Sequence, residues 1–176
     1  MGSRLIIIFS VISFCFSGCK DDSKKMLRKD IPEAKKTFAK INKILIDQDR
    51  KLIEGYIKRH QLEGMKETGT GLFYLVWGES KGEIIKTGNV VEYTYKITLL
   101  DGTLCYQNDS NTPKNFKVGH GGVESGLEQA VLLMRPGQKG KFILPPHLAY
   151  GLQGDWKMIP SRSIIVYDIE MLKVYR

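Results

Sequence analysis

Apolar positions along this chain follow two periods, and the change from one to the other divides it. Between residues 31 and 57 they recur every three or four places: Ala34, Phe38, Ile41 and Leu45, then Leu52, Ile53, Tyr56 and Ile57. One face of a helix has that spacing, and the polar step Asp47-Gln48-Asp49 splits it into two short amphipathic helices after Ile31-Pro32. Their apolar stripes need a cover; each other, the following domain and a second copy of the chain all qualify. Residues 20–30 are polar and read as a flexible tether.

Past Thr68-Gly69-Thr70-Gly71 the period becomes two. Leu72 to Trp77 is a continuous apolar run, as in a buried strand. In Val91 to Leu99 the residues Val91, Tyr93, Tyr95, Ile97 and Leu99 share one face, and Glu92, Thr94, Lys96 and Thr98 share the other, which meets water. Asp101-Gly102 turns the chain, Phe116-Lys117-Val118 is a short strand, and Lys139 to Leu144 follows the Pro136-Gly137 turn. The run Ile165 to Met171 alternates again. One helix is signalled inside this region: Ser125 and Glu128 form a capping box, and Leu127, Ala130, Val131 and Met134 fall at i, i+3, i+4 and i+7. The fold class is therefore α+β, an antiparallel β-sheet wrapped on one short α-helix, preceded by a two-helix N-terminal arm. The domain, residues 67–176, is long enough to bury one core, and the arm is residues 33–66.

Composition changes the picture mainly at the N-terminus. Arg4 precedes Leu5 to Phe16, an apolar run shorter than the roughly 20 residues of a spanning helix and suited to the h-region of a signal peptide. Ser17-Gly18-Cys19 resembles a bacterial lipobox, which assigns residues 1–18 to a lipoprotein signal peptide, makes Cys19 the lipidated residue and gives a lipidated tether over 19–32. Eukaryotic myristoylation is excluded by Ile6, where Ser or Thr is required. Cys15 leaves with the signal and Cys19 carries lipid, so Cys105 has no partner and reads as a small core residue. His60, His120 and His147 are too scattered to suggest a metal site.

The formal net charge is +8. Residues 20–66 hold 14 Lys and Arg against 8 Asp and Glu, whereas residues 67–176 hold 12 against 11. A basic arm beside a lipid anchor has the anionic membrane surface as its counter-charge, and the export signal argues against nucleic acid. Lys20-Asp21-Asp22 is similar to the short tether of surface-displayed Bacteroidetes lipoproteins; display on the cell surface and an outer-membrane anchor facing the periplasm both fit.

Val91-Glu92-Tyr93-Thr94, Asp101-Gly102, Gly137-Gln138-Lys139, Ala149-Tyr150-Gly151 and the closing strand, in that order, resemble the FKBP-type peptidyl-prolyl cis-trans isomerases over residues 71–174. The resemblance implies an aromatic hollow that takes up a proline ring without cofactor or metal. By matching position, Tyr93, Phe116, Leu127, Ile159 and Tyr167 would line its floor and walls, with Val123 at the rim. The Tyr150 hydroxyl and the backbone N–H of Glu124 would donate to the substrate carbonyl. Members of the family usually carry Phe-Asp where this chain has Cys105 and Tyr106, which implies a wider pocket wall at Cys105 and no carboxylate at Tyr106. Leu127 replaces a frequent Trp floor.

Arm, lipobox and single domain together resemble the gliding-motility-associated isomerase lipoproteins of Bacteroidetes, and the helical arm resembles the dimerising arms of some periplasmic isomerases. Two functions follow. One is an envelope isomerase acting on proline-containing exported proteins; the other is a weak or inactive binding module of a surface assembly, in which the altered hollow holds a partner.

Overall fold

The computed structural model describes the backbone of residues 22–176 and the side chains from Glu33 onward. The signal segment and Cys19 lie outside the described residues. The elements are α1 (Asp22–Arg59), β1 (Lys66–Glu67), β2 (Phe73–Trp77), β3 (Val90–Leu99), β4 (Leu104–Gln107), β5 (Lys114–Lys117), α2 (Ser125–Leu132), β6 (Lys139–Leu144), a 3-10 turn (Pro146–Leu148) and β7 (Ile165–Tyr175).

The arm is one helix and not two. Leu45 and Leu52 lie seven residues apart, so the apolar stripe passes through Asp47-Gln48-Asp49 without losing phase. The acidic residue at the inward position, Asp49, is buried and accepts a 2.5 Å bond from the Arg162 guanidinium. That partner removes the reason for a break. The helix also begins at Asp22, inside the stretch read as a tether. By its contacts the described chain divides within α1, after Ile41, and the larger unit is Asn42–Arg176.

In the larger unit all strands pair antiparallel in the order β1-β2-β6-β7-β3-β4, with β5 also on β3. β4 pairs with Lys96–Thr98 and β5 with Val90–Tyr93, so the two short strands lie end to end along one edge of β3. Asn108 joins them: its Oδ1 accepts the Tyr95 N–H at 2.6 Å and its Nδ2 donates to the Thr112 carbonyl at 2.9 Å.

The concave face of the sheet closes on α2, whose Leu127, Ala130 and Val131 are buried together with Met134, Val91, Ile97, Phe142, Ile169 and Met171. Close approach of α2 to β6 depends on Gly126, where a Cβ would lie 2.5 Å from Leu144 Cδ2 and 2.7 Å from the Leu148 carbonyl oxygen. The other face does not simply meet water. Ile53 and Tyr56 of α1 pack there on Phe73, Ile143, Ile164 and Val166, and Thr98, assigned to the wet face by alternation, is buried.

The Ser125–Glu128 capping box does not form. Glu124 is the N-cap residue, so Ser125 already lies inside α2, and the cap has no side-chain hydrogen bond. The Glu128 carboxylate instead accepts the N–H groups of Gly119 at 2.7 Å and Gly121 at 3.1 Å, bracing the loop that leads into the helix.

Candidate active site

Period-two alternation in β3 places Tyr93, Tyr95 and Ile97 toward α2, and Tyr167 of β7 stands beside them because β3 and β7 pair with Ile97 opposite Tyr167. Above this floor three loops converge: Gly122-Val123-Glu124 leading into α2, Tyr150 after the 3-10 turn, and residues 151–159. They enclose a hollow of about 410 Å³. Tyr93, Tyr106, Val123, Glu124, Leu127, Tyr150 and Tyr167, all candidates from the sequence, line it.

Three other candidates do not. Phe116 meets the Tyr93 ring edge-on at 5.8 Å and backs that wall from β5. Ile159 is 2% exposed and belongs to the core beneath the loop. Cys105 is the extra residue of a β-bulge, between Leu104 opposite Thr98 and Tyr106 opposite Ile97; it is buried in the core, with its thiol donating to the carbonyl of Met158 at 3.6 Å.

The lining also contains Tyr95, Ile97, Lys114, Gly122, Asp155 and Lys157, which were not among the candidates. Tyr95 and Ile97 were legible, since they share the face of Tyr93. Asp155 was not: Asp commonly folds its own loop by bonding nearby N–H groups, but which wall such a loop meets is a matter of tertiary structure.

Polar groups line the hollow as well. The Tyr167 hydroxyl donates to Glu124 Oε2 at 3.2 Å. Burial first, and then the negative charge of Glu124, pushes the Tyr93, Tyr95 and Tyr167 hydroxyls above the usual phenol range. Tyr150 is raised well above that range by burial and by its hydrogen bond to, and the charge of, Glu124. Each remains an O–H donor at neutral pH. Across the hollow the Tyr106 hydroxyl donates to Asp155 Oδ2. Burial alone would raise the Asp155 carboxyl, but hydrogen bonds from Tyr106, Ile159, Lys157 and Met158 outweigh it and hold the group below the usual carboxylate range. The edge that lacks a carboxylate on β4 thus has one from the opposite loop. Among the described residues no group of His, Cys, Asp or Glu is placed to hold a metal ion.

A hollow with phenol rings, Ile97 and Leu127 in its lining, and with tyrosine hydroxyl donors among its polar groups, suits an uncharged, compact group attached to a carbonyl. The family model of the FKBP-type peptidyl-prolyl cis-trans isomerases matches residues 81–172, which takes in every residue lining the hollow. The chain belongs to this family.

FK506-binding protein 2 of Dictyostelium discoideum is 40% identical over 90 residues, 51% of this chain and 68% of that protein. The FKBP-type isomerase FkpA of Escherichia coli is 36% identical over 138 residues, 77% of this chain and 50% of the relative. The chain thus spans about half the length of that relative. The crystal structure of FkpA from Escherichia coli superposes with a TM-score of 0.61 at 32% identity, covering 90% of this chain and 75% of that one. This FKBP-fold chain therefore shares with a solved FkpA both its α+β architecture and the family in which its hollow is found.

Proposed function

We propose that this FKBP-type chain is an envelope isomerase that turns Xaa-Pro bonds in exported proteins, with the proline ring in the phenol-lined hollow. The observation that carries this reading is Tyr150, half-buried and lining the hollow together with Tyr93, Leu127 and Tyr167. Rotation about the amide meets a barrier of roughly 18–20 kcal/mol because resonance keeps the bond planar. The planar form is the more polarised, so a pocket that withholds water favours the twisted one. Tyr150 donates to the substrate carbonyl, and the backbone N–H of Glu124, at the entry to α2, is the second donor. Val123 closes the rim. Phe116 and Ile159 act by supporting the walls. No group need gain or lose a proton.

Location and assembly rest on the sequence. The short h-region and Ser17-Gly18-Cys19 support lipidation at Cys19, with the protein held at the outer membrane, facing the periplasm or displayed on the surface. The order lipobox, helical arm, single domain supports a client set that includes proteins of gliding motility. Exposed Phe38 and Ile41 on α1 support pairing of two copies through the arm.

The test is Tyr150→Phe assayed for cis-to-trans turnover of an Xaa-Pro peptide. A fall in kcat/KM of roughly 3- to 30-fold is expected, the ~0.5–2 kcal/mol of one hydrogen bond made in the transition state. Wild-type turnover no faster than the uncatalysed reaction, with proline peptides still bound, would replace the enzyme by the binding module.

A further inference from the structure

Two successive residues of β4, Cys105 and Tyr106, reach the same segment. The Cys105 thiol donates to the Met158 carbonyl at 3.6 Å, and the Tyr106 hydroxyl donates to Asp155 Oδ2. The other oxygen of Asp155 accepts the N–H groups of Lys157 at 2.9 Å and Ile159 at 2.8 Å. The Asp155 N–H in turn donates to the Ile159 carbonyl at 3.1 Å. One carboxylate therefore folds loop 151–159 and also fastens it to the sheet.

The loop needs such a fastener. Trp156 sits at φ +62°, a left-handed backbone that costs a bulky residue about 1–3 kcal/mol. Its side chain is 84% exposed, so no packing offsets that cost, and Leu152 and Met158 face solvent as well. Gly154, at φ +72°, admits no side chain, since a Cβ would lie 2.2 Å from the Ile159 carbonyl oxygen. Such a loop holds its shape through polar bonds. It also forms part of the site, because Asp155 and Lys157 line the hollow and Tyr150 stands at its root.

We propose that Asp155 and Tyr106, seconded by the Cys105 thiol, are positioning residues: a clasp that sets loop 151–159 as one wall of the hollow and so fixes the Tyr150 hydroxyl. The catalytic consequence rests on the isomerase reading; the clasp itself does not. The clasp explains why Cys and Tyr occur together on β4, where the family usually has Phe and Asp. It also reverses the expectation for the family's usual residue. Tyr106→Asp would lose the hydroxyl and, being shorter, set a second carboxylate facing Asp155 across the gap, where like charges repel instead of bonding.

The experiment uses the full chain with Tyr106→Phe, Asp155→Ala, the two combined, and Tyr106→Asp alone or with Asp155→Asn. Tyr106→Phe should lower kcat/KM about tenfold and Asp155→Ala at least as much, and the combination should be no worse than Asp155→Ala alone, because that change already removes the contact Tyr106→Phe removes. Tyr106→Asp should fall below Tyr106→Phe and regain that level when Asp155→Asn is added. Amide exchange at Lys157 and Ile159 should quicken about tenfold in Tyr106→Phe, although neither amide bonds Tyr106, while α2 and β7 exchange unchanged. Additive losses, a gain with Tyr106→Asp, or unaltered loop exchange in Tyr106→Phe would overturn the clasp. In a chain without turnover the exchange readout alone decides it, and the isomerase reading fails separately.

Discussion

Glu124 shows how much of the site's behaviour is set by one side chain. Its carboxylate faces a group of phenols, and burial together with its charge raises Tyr93, Tyr150 and Tyr167 above the ordinary tyrosine value. A group whose folded pKa is raised keeps its proton, and whatever stability depends on that proton, until pH rises through the folded value. On a peptide without titratable groups, kcat/KM is therefore expected to stay flat from pH ~7 to ~10, the ordinary phenol value. A decline centred below pH ~9 that Tyr150→Phe abolishes would show that the hydroxyl is not so buried. Asp155 has the opposite sign. Its carboxyl is held low, so the bonds it accepts are complete above the unfolded carboxylate value of ~4 and lost only as pH falls through the depressed one. At this scale the sequence was legible wherever alternation or a motif marked a residue, as for Tyr93, Tyr150 and Tyr167. It was silent on Asp155, whose partner lies 49 residues away on β4.

Among elements, α1 departs most from its reading, and the departure has an energetic consequence. Its inward positions are Leu45, Asp49, Ile53 and Tyr56. Ile53 and Tyr56 are buried against β2, β6 and β7, and Arg50 pairs with Glu67 at 2.7 Å as Asp49 pairs with Arg162. Burying a large apolar side chain stabilises by about 1.5–3 kcal/mol. A chain starting at residue 67 should consequently melt more than ~10 °C below one starting at Asn42, and Ile53→Ala in the full chain should cost about 2–4 kcal/mol. Equal melting temperatures for the two shortened chains would mean that the helix only rests on the sheet. The sheet itself was readable because strands alternate by a fixed period, and α2 because its apolar face is complete. The continuity of α1 was not, since a buried Asp and a surface break look alike until the distant arginine is seen. For the same reason Glu128 suggested a cap, whereas its acceptors are used on the preceding loop.

For the whole molecule, charge and apolar surface are divided along the chain in a way that bears on where it works. The domain is nearly neutral, while residues 20–66 carry 14 basic against 8 acidic side chains, and α1 leaves Phe38 66% and Ile41 46% exposed. No helix among the described residues is long and apolar enough to cross a membrane; the proposed membrane attachment is the lipid on Cys19. One acyl chain gives only marginal binding and two or more hold, the adjacent basic residues adding attraction to anionic lipid. Labelled fatty acid should accordingly enter the wild-type protein and not Cys19→Ala, whose chains should leave the membrane fraction in high salt. Freed from the anchor, the same variant should sediment as a dimer if the exposed α1 stripe is its seam, and adding Phe38→Glu and Ile41→Glu should return it to a monomer without loss of turnover, since the hollow is built wholly from residues 93–167. Label retained by Cys19→Ala would remove the anchor from the proposal, and a dimer indifferent to both charges would place the seam elsewhere on the molecule.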